Sequence, residues 1–361
     1  MTGPVFRAAI VGTGRIGSTY DDEVVDRRDP ATLRGPLRHN GLYTVLPVNH
    51  AGAYRTVPGF ELVATANRGV EKLRAFGQRW GVGALYTDFR QLLRAERPDV
   101  VSVCTQSPDK AEVTIAAAEA GAKAIIVEKA LATSMAETDA MLAACERHGA
   151  ILVVNHPNRF STINRQAKAL IEGGAIGRLG TVAAHASSGM LHVGTHTFDL
   201  LRFWAGDVVE VDARIPDYAP GRDLPATGTL QFASGVTGFF DHVHGVQTGY
   251  EARGTAGSVT TSTLVGDGWV RRLEPFFPKG ARRYPYRLTV ESIEGEPHTL
   301  SPTQRLLSEL FQTLTTGAPV ISSGRDGAAA LELGLACHAS HLARGPVALP
   351  LADRALRVPN R

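Results

Sequence analysis

A chain of 361 residues is long for one core and predicts two domains with ample apolar burial. Hydrophobic residues at 43% and charged residues at 20% describe an ordinary soluble globular protein, and a formal charge of +3 spread along the chain gives no footprint for nucleic acid. Cys104, Cys145 and Cys337 lie far apart without metal-type spacing, which argues against a disulfide framework or a metal site. The N-terminus does not resemble a signal peptide and no apolar run approaches membrane-spanning length, so the expected compartment is a reducing cytoplasm. The densest basic cluster, Arg282-Arg283 with Arg287, reads as a solvated hairpin.

The first element is a short apolar strand, Phe6 to Val11, followed at once by Gly12-Thr13-Gly14-Arg15-Ile16-Gly17. A G-x-G-x-x-G run between strand and helix permits a tight turn and close backbone approach to a pyrophosphate seated on a helix N-terminus. The second strand, Phe60 to Ala66, should end in a carboxylate for the adenosine ribose some ~20 residues past the glycines. It ends instead in Asn67-Arg68, and later than usual. Asn67 removes the charge that would repel a 2′-phosphate and Arg68 supplies a cation that could hold one, which gives a lean toward NADP over NAD. Arg68 could equally stack on the adenine. The delay comes from residues 20 to 49, where Asp21-Asp22, Pro30, Gly35-Pro36, Asn40-Gly41 and Pro47 read as a long irregular insertion. A lid, a subunit contact and a plain surface excursion are all compatible with it.

Regular alternation follows. Helices are expected over Val70 to Trp80, Asp88 to Arg97, Asp109 to Ala120 and Ser134 to His148, with strands at Leu85-Tyr86, Val100 to Cys104, Ala124 to Val127 and Ile151 to Val154. This predicts a doubly wound parallel sheet. Glu128-Lys129-Ala130 stands at the end of one of its strands, where open α/β sheets keep their chemistry. Beyond it, period-two alternation predicts strands over Thr181 to Ala186, Thr227 to Ala233, Val236 to His244, Tyr250 to Arg253 and Ser258 to Ser262. Helices follow at Thr303 to Thr316 and Asp326 to Leu342, and Asp217 to Leu224 is a loop placed to border a pocket.

The succession "IVGTGRIG", "VSVCTQSPDKAEVTIAAAEAGAKAIIVEKA", "ILVVNHPNRF", "AIGRLGTV", "GTHTFDLLRFWAG" and "YEARGTAGSV" resembles the glucose-fructose oxidoreductase/inositol dehydrogenase (Gfo/Idh/MocA) family over nearly the whole chain except the insertion. The resemblance implies a Rossmann domain at 1–132 and, at 133–361, an α/β domain with a large, mainly antiparallel open sheet that serves oligomerisation, as homodimer or homotetramer. The family's Glu-Lys-Pro motif falls on Glu128-Lys129-Ala130, with alanine where proline is usual. Its Asp-x-Gly-x-His motif falls on His192 to His196, so that His196 matches the catalytic histidine while His192 replaces the aspartate. Asp199 matches the aspartate three residues on. Thr105, Glu128 and Lys129 join the glycine turn, Asn67 and Arg68 as cofactor-side residues, and Asn158-Arg159 match a substrate segment.

The implied chemistry asks for these residue types. Oxidising a secondary alcohol removes a hydride from carbon and a proton from oxygen; histidine suits the proton, and a lysine ammonium steadies the oxygen. Asn155, His156, Asn158, Arg159, His192 and Asp199 are candidates to bind hydroxyls or an anionic group, loop and helix capping being the alternative for the segment at 155–159. The expected activity is NAD(P)-dependent oxidoreduction at a secondary hydroxyl or ketone of a sugar, sugar derivative or cyclitol. Two alternatives stay open: a lyase, epimerase or glycosidase using bound dinucleotide without net redox, and a non-catalytic dinucleotide-binding regulator.

Overall fold

The computed structural model describes residues 3–27, 45–245, 248–262, 266–276, 286–293 and 299–359. In chain order, the first unit runs β1 (Phe6–Val11), a π-helical turn at Arg15–Thr19, α1 (Tyr20–Arg27), α2 (His50–Thr56), β2 (Phe60–Ala66), α3 (Val70–Trp80), β3 (Ala84–Tyr86), α4 (Phe89–Glu96), β4 (Val100–Val103), α5 (Ser107–Glu119), β5 (Ala124–Glu128), α6 (Met135–His148) and β6 (Ile151–Asn155). Its strands form a sheet in the order β3-β2-β1-β4-β5-β6 with every pairing parallel. Chain order reverses between β1 and β4, and that switch point opens the crevice at the strands' C-terminal ends. Both faces are covered, so β4 and β5 are buried at every position.

The second unit runs α7 (Thr162–Glu172), β7 (Leu179–His185), α8 (Thr195–Ala205), β8 (Val208–Arg214), β9 (Thr227–Phe232), β10 (Thr237–Asp241), β11 (Gly249–Gly254), β12 (Gly257–Ser262), β13 (Asp267–Pro275), β14 (Tyr286–Ser292), α9 (Pro302–Thr316), α10 (Gly324–Ala343) and β15 (Val347–Ala348). Its strands order as β14-β13-β12-β11-β7-β10-β9-β8-β15, and only the β7–β10 pairing is parallel among the described residues. The chain then returns to the first unit: Leu306, Leu307 and Leu310 of α9 join Phe6, Tyr54 and Phe60 in one core. Ser322 also bonds across to Val154 through its backbone carbonyl (3.0 Å) and its hydroxyl (2.7 Å).

The expectation of irregular chain over residues 20–49 is corrected at both ends. Tyr20–Arg27 is helical, because Asp21, Asp22 and Glu23 sit in its first turn, where carboxylates favour a helix N-terminus over the breakers further on. At the other end Asn49 caps α2, its side chain accepting from the Gly52 N–H. The two roots are tied: the Asp21 carboxylate accepts from the backbone N–H groups of Val48 at 2.8 Å and Asn49 at 3.0 Å. Residues 28–44 and the Arg282-Arg283 cluster lie outside the described residues.

A boundary at 132 would cut the first sheet, since β6 pairs with β5 over Ile151 to Asn155. Sheet membership carries the first unit to Asn155. The helix α7 and the strands β8, β13, β14 and β15 add to what the sequence predicts.

Candidate functional site

The glycine turn and its surroundings form an open groove of about 430 Å³ lined by Gly12, Gly14, Asn67, Arg68, Cys104 and Thr105 among others. Gly12 has φ +102°, and a Cβ there would lie 2.7 Å from the Cys104 carbonyl group, so only glycine lets β1 and β4 end this close together. Gly14 has nothing within 4 Å of its Cβ position, leaving open space above the turn. The buried hydroxyls of Thr13 and Thr105 make no hydrogen bond among the described residues. Close backbone, open space and free hydroxyls fit a pyrophosphate-bearing dinucleotide, with Gly12, Thr13, Gly14, Thr105 and Asn67 as the groups that would hold it. Ile16 and Gly17 lie in the π-helical turn beneath, and Arg15 is bound to Glu23. Arg68 is 84% exposed and pairs with Asp109 at 2.7 Å.

At the end of β5, Glu128 and Lys129 part company. The buried Glu128 carboxylate accepts on one oxygen from His50 Nε2 (2.9 Å) and Asn155 Nδ2 (2.7 Å). Burial opposes its charge, but these bonds and the His50 and Lys110 charges hold its pKa below the usual carboxylate range. Lys129 is half-buried and points across the cleft, donating to the His192 carbonyl at 2.7 Å. Burial pulls its pKa below the ordinary lysine value, with Arg15 adding to the shift and Glu128 and Asp223 opposing it. The Lys129–Ala130 peptide is cis.

The opposite wall is the π-helical turn Met190–Gly194 and the start of α8. The Asp223 carboxylate fixes this turn from the side, accepting from the Leu191 and His192 N–H groups at 2.9 and 2.8 Å. The exposed His192 ring has its pKa lowered, first by Lys129 and then by desolvation. His196 is held well below its ordinary pKa by burial, with Lys129 and His156 adding to the effect. Its Nδ1 makes no hydrogen bond among the described residues, and its ring meets that of His156 edge-on at 5.9 Å.

Five of the residues expected to touch substrate, Asn155, His156, Asn158, Arg159 and Asp199, are instead internal. Asp199 is fully buried, its carboxylate 2.8 Å from Arg159 Nε and 3.1 Å from His156 Nδ1. Arg159 is spent on Asp199, Asp326 (3.0 Å) and the Ile321 carbonyl (2.7 Å), which leaves no fork free for an anion. Asn155 serves Glu128. Asn158 donates to the Tyr250 hydroxyl at 2.9 Å, close under the His196 carbonyl. His50, Lys110, Tyr250 and Asp223 support the site and carry no short motif. Lys110 alone left a sequence signal, a cation in the first turn of a helix, where the macrodipole disfavours it.

A doubly wound sheet with a glycine turn, opening onto a cleft that brings a lysine and a histidine together, defines a dinucleotide-binding oxidoreductase. A model described as the oxidoreductase family with NAD-binding Rossmann fold (GFO_IDH_MocA) matches residues 6–156, and that of the GFO/IDH/MocA C-terminal domain matches residues 181–260. The chain belongs to this family. It is 34% identical over 213 residues to a D-apiose dehydrogenase of Paraburkholderia graminis, spanning 54% of this chain and only 56% of that one. With the myo-inositol 2-dehydrogenase of Thermotoga maritima identity is 26% over 328 residues, spanning 81% and 92%. Among solved structures, a levoglucosan dehydrogenase complex with NADH superposes with TM-score 0.74 at 20% identity, covering 96% of this chain and 99% of that one. An aldose-aldose oxidoreductase from Caulobacter crescentus gives TM-score 0.74 and 20% identity over 96% and 100%; at such identities the likeness speaks for the fold.

Proposed function

We propose that this chain oxidises a secondary hydroxyl of an uncharged sugar or cyclitol, or reduces the corresponding ketone, with NAD or NADP. The observation that carries the reading is that Lys129 reaches the His192 carbonyl at 2.7 Å, close enough for its charge to act on His196 of the same wall. When bound, the nicotinamide supplies the hydride acceptor. In the oxidation direction the substrate O–H proton passes to His196, which its environment keeps neutral and therefore able to accept. The Lys129 ammonium donates to the same oxygen and stabilises the negative charge that builds there. Reduction runs the same steps backwards.

Two features favour an uncharged substrate. Arg159, the cation expected to hold an anion, is consumed by Asp199 and Asp326. Several of the relatives' printed names, D-apiose, myo-inositol and levoglucosan dehydrogenases among them, are those of polyol and sugar enzymes. Among the site candidates the exposed His192 is then left to meet hydroxyls. The expectation of assembly is kept as a proposal: Trp269, Leu273, Tyr286, Leu288 and Val290 expose apolar side chains on β13 and β14 and offer a face for a second copy. No described helix is long and apolar enough to cross a membrane, and with the free cysteines Cys104, Cys145 and Cys337 a cytoplasmic setting fits.

The test is turnover of D-apiose, myo-inositol and levoglucosan with NAD+ and NADP+, beside the aldonates and uronates of the same size. Faster turnover of the uncharged compounds supports the reading; preference for the acids contradicts it.

A further inference from the structure

Lys110 sits on α5, one layer behind the cleft, and is 2% exposed. Its ammonium donates to three successive backbone carbonyls, those of Glu128 at 2.6 Å, Lys129 at 2.9 Å and Ala130 at 2.6 Å. An ammonium has three N–H donors and no acceptor, so this set satisfies it completely. Among the described residues it forms no ion pair. Ser107, from the same helix, adds a longer bond to the Ala130 carbonyl at 3.4 Å.

Burying an amine this deeply is costly, and burial pulls the Lys110 pKa down to about 7 against the opposing pull of Glu128. Replacing buried charged groups by well-packed apolar side chains is often neutral or stabilising. What the ammonium does that an apolar chain cannot is fix the direction of three consecutive peptide groups, and the middle one belongs to Lys129. The next turn of chain carries the Lys129 side chain out to the His192 carbonyl.

We infer that Lys110 is a positioning residue: its three-pronged clamp on the Glu128, Lys129 and Ala130 carbonyls aims the Lys129 ammonium at the reacting oxygen. The inference rests on the catalytic reading of Lys129. A misplacement of about 1 Å in a catalytic group costs on the order of 10² in rate, which sets the size of the effect.

The experiment compares Lys110→Met, Lys110→Gln, Lys129→Met and the Lys110→Met/Lys129→Met pair. It uses NAD+ with whichever of D-apiose, myo-inositol and levoglucosan is oxidised fastest, and measures NADH Kd by fluorescence. Lys110→Met should lower kcat on the order of 10² with NADH Kd unchanged, and Lys110→Gln, which keeps two N–H donors, should retain more. In the Lys129→Met background Lys110→Met should cost almost nothing further, because residues acting as a unit are not additive. Unchanged kcat in Lys110→Met beside collapse in Lys129→Met overturns the inference and leaves the catalytic reading standing. Unchanged kcat in Lys129→Met overturns both. Should Lys110→Met fail to fold, Lys110→Gln carries the same comparison; additive loss in the double variant, or lost NADH binding in both Lys110 variants, would make Lys110 a folding residue only.

Discussion

His196, the proposed base, is neutral at neutral pH because its surroundings strip its proton early. Burial, then the charges of Lys129 and His156, depress its pKa well below the usual histidine value. Activity in the oxidation direction needs the neutral ring, so it is lost only as pH falls through that depressed value. The acid limb of kcat should therefore lie below the ordinary ~6.5 of histidine, and a limb at or above it in a pH–rate profile would contradict the assignment. Lys129→Ala and His196→Ala should each lower kcat by on the order of 10²–10⁴ while NADH binding, followed by fluorescence, survives. His50 moves the other way. Burial favours its neutral form, but Cys104 and Glu128 outweigh that and raise its pKa to about 10. A raised pKa contributes stability that is fully present below ~6.5 and is lost as pH climbs toward the folded value. The melting temperature should then fall between those limits, and His50→Gln should flatten that part of the curve. Lys129 and His196 stand out in the sequence as candidates because each lies in a recurrent motif. His50, Lys110 and Asp223 reach the site from segments remote in sequence, through single side-chain bonds that no local spacing records. Arg159 looked like a ligand for the same reason: its partners Asp199 and Asp326 lie 40 and 167 positions away.

At the level of elements, the cofactor side depends on how closely β1, the glycine turn and β4 approach. A Cβ on Gly17 would lie 2.3 Å from the Gly12 carbonyl oxygen, which is backbone and cannot yield. Gly17→Ala should cost about 1–3 kcal/mol of stability and weaken NADH binding, both readable by thermal melting with and without NADH. An unchanged affinity would mean that the turn does not hold the pyrophosphate. At the adenosine end, Arg68 already pairs with Asp109. If it also meets a 2′-phosphate, Arg68→Ala should weaken NADP more than NAD by about 1.5–3 kcal/mol, the range for a hydrogen bond to a charged group. Equal losses in the two titrations would reduce its role to stacking on adenine. Apart from α1 and α2, which the sequence reading did not give, the elements of the first unit fall within a few residues of it, since their limits are set by local caps such as Ser134 before α6 and Gly149 after it. Strands β13 and β14 were not legible. Their sequences, DGWVRRLEP and YRLTVES, mix charge and apolar residues, and the pairing of the largely exposed β14 is imposed by β13 rather than by a buried face.

The whole molecule works because the second unit folds back over the first. Helix α9 closes the β1–α2 side and α10 packs on α8 and β6, while Lys129 at the end of β5 bonds to the His192 carbonyl of the opposite turn. The same architecture leaves β13 and β14 at the sheet's edge with Leu288 57% and Tyr286 57% exposed. If a second copy covers them, light scattering should give a multiple of the chain mass, and Tyr286→Glu with Leu288→Glu should reduce it; a monomer before substitution would contradict this interface. The central claim is that the bound dinucleotide leaves the reaction changed. It separates this account from a reaction that takes the hydride and returns it, which would use the same groove, lysine and histidine. The direct measurement is the yield of reduced nicotinamide against substrate consumed, with free NAD+ or NADP+ in excess and D-apiose, myo-inositol or levoglucosan as the polyol. The account predicts one reduced nicotinamide for each hydroxyl oxidised, falling together in Lys129→Ala and His196→Ala. Consumption of the polyol without accumulation of reduced nicotinamide would contradict it.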